Sequence, residues 1–130
     1  MPGMHFDSAV SDSASTADAV SRVIAQARAV ERADLAALFI TAAHADEAEW
    51  ILDRINTELE PQILIGCTAE GVIGGDLEIE RAPGISLLTG SLPGVRISAL
   101  HIGEDEWADL LDDQVNLMER LGHGDESRAL

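Results

Sequence analysis

The segment Gly66-Cys67-Thr68-Ala69-Glu70-Gly71-Val72-Ile73-Gly74-Gly75 gathers the chain's only cysteine, a carboxylate and four glycines into one short stretch. It follows Ile63-Leu64-Ile65, an apolar run that reads as a short buried strand. In α/β sheets, ligands collect in the crevice beyond the carboxyl ends of the strands. Glycine at such a place lets a ligand come close to the backbone. The candidate ligand contacts are therefore Gly66, Cys67, Thr68, Glu70, Gly71 and Gly74, with the Glu70 carboxylate as partner for an ammonium or hydroxyl group. A plain glycine-rich turn carrying a solvated carboxylate is the competing reading. The glycine intervals fit neither a dinucleotide fingerprint nor a P-loop, and no Lys follows.

Cys67 would act as a nucleophile only with a base beside it. His44, just after the preceding apolar strand, is the one histidine whose position offers to face the same crevice. A buried structural cysteine is the simpler account, because free cysteine is among the most buried residue types. No catalytic residue is assigned. His5, His44, His101 and His123 are scattered and lack the paired spacing of a zinc site. The acids Glu104, Asp105, Glu106, Asp109, Asp112 and Asp113 lack the alternating loop of a calcium site, and read as the solvated start of a helix. Arg81 and Arg96 are rare positive charges that either pair with Glu78 and Glu80 or attract a carboxylate.

These residues need elements to hold them. Ser8–Ala17 reads as a Ser/Ala/Thr-rich loop, with Ser15 and Asp18 spaced as a helix cap. Val20, Val23, Ile24, Ala27 and Val30 then recur at helical spacing, predicting a helix over about Thr16–Arg32. Leu35–Ile40 is a fully apolar run and reads as a strand buried on both faces. Ala48, Ile51, Leu52, Ile55 and Leu59 predict a second helix, with Asp46, Glu47 and Glu49 near its positive end and Pro61 beyond its other end. Beyond the glycine segment, Leu77–Glu80 alternates, and Pro83-Gly84 and Pro93-Gly94 both suit type II turns. Strands at Ile85–Leu92 and Val95–Ile102 would complete a three-stranded β-meander. A last helix begins at Glu104, carries Trp107, Leu110, Leu111, Leu117, Met118 and Leu121 on one face, and stops at Gly122. His123–Leu130 has no pattern of its own. The expected fold class is α/β of a mixed kind: a helix-strand-helix-strand unit, a meander and a C-terminal helix.

Composition removes several classes. The 130 residues hold 8 Arg, no Lys and 24 acids, for a net charge of −16. The charge is even along the chain, −7 in residues 1–65 and −9 in 66–130. Such a surface repels phosphate backbones and anionic lipid, so neither nucleic acid nor membrane is an expected partner. One cysteine makes no internal disulfide. No apolar run approaches the roughly 20 residues of a membrane-spanning helix, and the first residues lack the pattern of a signal peptide. The expectation is a cytoplasmic protein without cofactor or metal. The apolar fraction of 46% suits a packed core.

The run Ile63-Leu64-Ile65-Gly66-Cys67-Thr68-Ala69-Glu70-Gly71-Val72-Ile73-Gly74 resembles the N-terminal part of FIST domains, sensory domains of signal-transduction proteins. The resemblance continues through Glu78-Ile79-Glu80, Ile85-Ser86-Leu87-Leu88 and Ser91-Leu92-Pro93-Gly94-Val95, and upstream in Ala33–Ile40. It covers about residues 4–121. It implies a module that binds small molecules such as amino acids, and brings no catalytic residue with it. FIST proteins normally continue into a C-terminal FIST region. The expectation is therefore a single domain over 1–130, apparently truncated, with that region or a second copy as partner. A partner-dependent or non-functional fragment, and more remotely a thiol enzyme using Cys67, are the alternatives.

Overall fold

The computed structural model describes residues 3–28 and 32–122, so Val30 and the His123–Leu130 tail lie outside the described residues. The chain divides into two units, one to Ile97 and one from Ser98. In the first, β1 (His5–Ser11) leads to α1 (Thr16–Ala27), β2 (Leu35–Thr41), a 3-10 turn over Ala42–Glu47 and α2 (Ala48–Leu59). β3 (Ile63–Ala69), β4 (Gly71–Gly74), β5 (Leu77–Glu80) and β6 (Ile85–Ser91) follow. The mixed α/β class holds.

α1 starts where its periodicity and cap predict but ends at Ala27, short of the expected Arg32. Ser15, in extended backbone, accepts a hydrogen bond from the Asp18 N–H at 3.3 Å, which satisfies one donor that the helix itself leaves free. Its buried residues include Val20, Val23, Ile24 and Ala27. Ser15→Ala should lower stability by about 1 kcal/mol, read from the shift of the denaturation midpoint.

The main sheet runs β1-β6-β2-β3. β2 and β3 are parallel, joined through α2, as expected of a β-α-β crossover. β1 and β2 leave a gap between them, and β6 fills it antiparallel to both. Strand alternation then divides the sheet. Ala9 of β1, Ala36, Leu38 and Ile40 of β2, and Ile85 and Leu87 of β6 join Val20, Val23, Ile24, Ile51 and Ile55 of the helices in one core. The other face carries Phe6, Leu88, Phe39 and Ile65, all well exposed. β2 is buried on both faces at most of its positions, Ala37 and Thr41 on the side away from the helices, with Phe39 looking out, whereas β3 is an edge strand whose Ile65 is 51% exposed. β2 thus meets the expectation of burial on both faces except at Phe39, while β3 is not the buried strand that its apolar run predicts.

Four further expectations are corrected. Ser8–Ser11 belongs to β1 and not to a loop, because β6 offers it a seven-residue antiparallel ladder. The meander does not exist: β4 pairs with β5 in a separate two-stranded sheet, and β6 goes into the main sheet. The strand expected at Val95–Ile102 does not form, since both edges of β6 are already taken by β1 and β2. Of the two predicted turns, Pro93-Gly94 forms one, with Gly94 at φ 78° and Val95 N–H bonded to the Leu92 carbonyl. Gly84 has no positive φ and is drawn instead to the end of β2.

The β4–β5 hairpin lies against the face of the main sheet opposite the helices. Gly75 N–H donates to Ser8 Oγ at 3.1 Å, and Ser86 Oγ donates to the Ile73 carbonyl at 2.6 Å. A Cβ at Gly74 would meet Val10, so glycine permits this approach.

In the second unit a 3-10 turn at Glu104–Glu106 precedes α3 (Trp107–Asp112) and α4 (Gln114–Arg120). The single helix predicted here breaks at Asp113, whose carboxylate accepts from the Asn116 N–H and caps α4. The Gly103 N–H and the Arg120 guanidinium, both bonded to Glu106, hold its carboxyl below the ordinary glutamate range.

Candidate functional site

The carboxyl ends of β2 and β3 open onto a cavity of about 300 Å³, lined by Thr41, Ala42, Ala43, Glu70, Arg81, Ala82 and Pro83. Its position follows from the sheet. β2 ends at Thr41 and β3 at Ala69, in parallel register, so the residues after each emerge side by side. The third wall comes from the link between β5 and β6. Thr41 Oγ1 accepts from the Gly84 N–H at 2.9 Å, and the Thr41 N–H donates to the Gly84 carbonyl at 3.0 Å. Thr41 is itself buried, so this pair of bonds fixes the link where Arg81 joins the cavity.

Arg81 has φ 53°, the left-handed region that costs a side-chain-bearing residue about 1 kcal/mol or more. Among the described residues neither Arg81 nor Glu70 forms an ion pair. The expected alternative, Arg81 paired with Glu78 or Glu80, does not occur. The cavity therefore presents one cation and one anion over an otherwise small, apolar lining. The rare cation at Arg81 was legible as a charge, but its meeting with Glu70 was not. They are brought together by the hairpin's return, which the sequence pattern assigned to a meander.

The other candidate residues do not share this cavity. Gly66, Cys67 and Thr68 lie inside β3, not in a loop, and line a second, apolar groove of about 280 Å³ with Leu38, Ile40, Ala48, Leu52, Leu64 and Ile65. Gly66 serves packing, since a Cβ there would run into the Leu38 carbonyl oxygen of β2. Gly71 and Gly74 belong to β4, where a Cβ at Gly71 would meet the Ile79 carbonyl oxygen and one at Gly74 would meet Val10. The ten-residue ligand loop is thus two strands and the turn at Glu70. Of its residues, Glu70 alone lines the cavity beyond the strand ends.

Cys67 is exposed, against the expectation of a buried thiol. His44 is fully buried in the 3-10 turn, its Nδ1 2.8 Å from Thr16 Oγ1, and Nε2 has no partner among the described residues. Cys67 and His44 are not among the described hydrogen-bonded pairs. Arg96 lies in the segment without secondary structure after the Pro93-Gly94 turn. Among the described residues no group of three or more His, Cys, Asp or Glu could hold a metal ion, and no helix is long and apolar enough to cross a membrane.

No family model matches the chain. No solved structure matches it either. Two proteins of Mycobacterium tuberculosis, from strains CDC 1551 and H37Rv and both described as uncharacterized, are 35% identical to it over 86 residues. That match covers 61% of this chain and 22% of each relative, so the chain is similar to about a fifth of a much longer protein.

Proposed function

We propose that the first unit is a small-ligand-binding sensory module of a signal-transduction system, taking free amino acids at the cavity beyond β2 and β3. One observation carries the reading: Glu70 and Arg81, oppositely charged and without ion-pair partners among the described residues, line one cavity. An amino acid brings an ammonium and a carboxylate on one carbon, and so offers each a partner. A guanidinium grips a carboxylate with two parallel N–H donors, and charge-assisted hydrogen bonds are the stronger kind. The volume lies at the low end of small-molecule pockets, which suits a metabolite of this size. The strained backbone at Arg81 supports the same reading, because such strain clusters at ligand clamps. The sensory role rests on the resemblance to FIST domains. A second reading, that the unit works only with further polypeptide, draws on the much greater length of the mycobacterial relatives.

Thermal denaturation with a panel of the common amino acids tests the site. A ligand at a hundred times its Kd should add about 2.7 kcal/mol, a rise of several degrees. Glu70→Gln and Arg81→Gln should each remove that rise while leaving the ligand-free midpoint in place. Arg81→Gly separates the two roles of the residue: it should lose the response to ligand yet gain about 1 kcal/mol of ligand-free stability, since glycine takes a positive φ without strain. A panel with no responder, or variants that respond as the parent does, ends the proposal.

A further inference from the structure

Glu70 and Arg81 are two of the seven residues around the cavity beyond β2 and β3. Thr41 is a third, but it is buried and its Oγ1 already accepts from the Gly84 N–H, so the hydroxyl is committed to holding the chain. What remains is Ala42, Ala43, Ala82 and the Pro83 ring. None of these has a side-chain donor or acceptor. The three alanines are exposed, so the cavity floor is apolar surface left to water. Two of them stand on the 3-10 turn after β2 and the third on the link after β5, so separate elements assemble this floor.

We propose that the cavity selects amino acids with apolar side chains, the alanine and proline floor being the subsite that takes the side chain. This rests on the reading of Glu70 and Arg81 as partners of the ligand's ammonium and carboxylate. With both charges engaged, a ligand side chain meets only methyl groups and a proline ring. Covering that surface tightens binding by up to about fourfold for each methylene buried. A hydroxyl or an ammonium in the same place gives up hydration and gains no partner from the lining side chains. The net charge of −16 favours cations over the whole surface, but salt screens that attraction and leaves the apolar contact in place.

Amide NMR titrations of the 130-residue chain at about 0.15 M salt, read at the Gly84 N–H, test this. Affinity should rise from glycine through L-alanine and L-norvaline to L-norleucine. L-Homoserine and L-ornithine carry a hydroxyl and an ammonium where norvaline and norleucine end in a methyl, and each should bind about tenfold more weakly than its apolar counterpart. Ala43→Asp should bring norleucine down to the affinity of glycine and lift ornithine above norleucine. Ala82→Asp, on the other wall, should do the same. Glycine has no side chain, so its binding reports on Glu70 and Arg81 alone. A series that is flat from glycine to norleucine, or polar counterparts that bind as well, overturns the subsite while leaving the charged pair as the ligand's anchor. So do Ala43→Asp and Ala82→Asp proteins that both keep the parent's order. If neither glycine nor any other member binds, the anchor fails and the subsite with it.

Discussion

Leu38→Asp should abolish the cooperative unfolding transition of the first unit, leaving a chain whose circular dichroism changes only gradually on heating. Leu38 is 3% exposed at the centre of β2, between β6 and β3, and belongs to the core shared with α1 and α2. Removing a buried leucine side chain costs about 2–5 kcal/mol. Putting an unpaired carboxylate in its place adds several more, or forces that group to take up a proton. The whole stability of a domain is about 5–15 kcal/mol, so the two losses together consume it. Leu88→Asp is the matching control. It stands on β6 beside β2, opposite Ala37, but on the face away from the helices and 40% exposed. It should melt cooperatively within a few degrees of the parent. A Leu38→Asp protein that melts as Leu88→Asp does would falsify the assignment of the two faces.

The second large effect is expected at Gly66. A Cβ there would overlap the carbonyl oxygen of Leu38 and crowd its Cβ at 3.1 Å, and neither is the movable end of a side chain. Strain of this kind costs about 1–3 kcal/mol when a core has to shift to relieve it. Gly66→Val, larger still than alanine, should lower stability by about 3 kcal/mol, measured by denaturant titration. Gly3→Ala, with open space around it, should change nothing, and Thr68→Val on the same strand should be tolerated. The contrast has a functional use. If Gly66 were a ligand contact, its substitution would weaken binding and leave the fold unharmed. If it spaces β3 from β2, stability falls first.

The helices could be read directly from the chain. α1 and α2 depend on local features, the Ser15 cap and apolar stripes at helical spacing, and both elements appear there with the centres of those stripes, Val20, Val23 and Ile24 in α1 and Ile51 and Ile55 in α2, buried. β2 and β3 were legible as strands from their apolar runs, and the α2 connection between them implied their parallel pairing. What an apolar run does not carry is its depth. Phe39 and Ile65 are as apolar as Leu38 and Ile40, and whether each is covered depends on which face the helices take.

Only the tertiary structure decided where β6 goes. Local pattern places it next to β5, whereas in the folded chain it crosses into the space between β1 and β2, because an antiparallel strand there completes two ladders in place of one. That choice takes both edges of β6, so the strand expected at Val95–Ile102 does not form beside it. It leaves β3 as an open edge, and it brings Arg81 to the cavity that Glu70 lines. Caps and apolar stripes act over a few residues, so the sequence alone determines them, whereas the turn expected at Pro83-Gly84 yields to the bonds between Gly84 and Thr41. Register between distant strands, and the sites made where they meet, belong to contacts formed across dozens of residues.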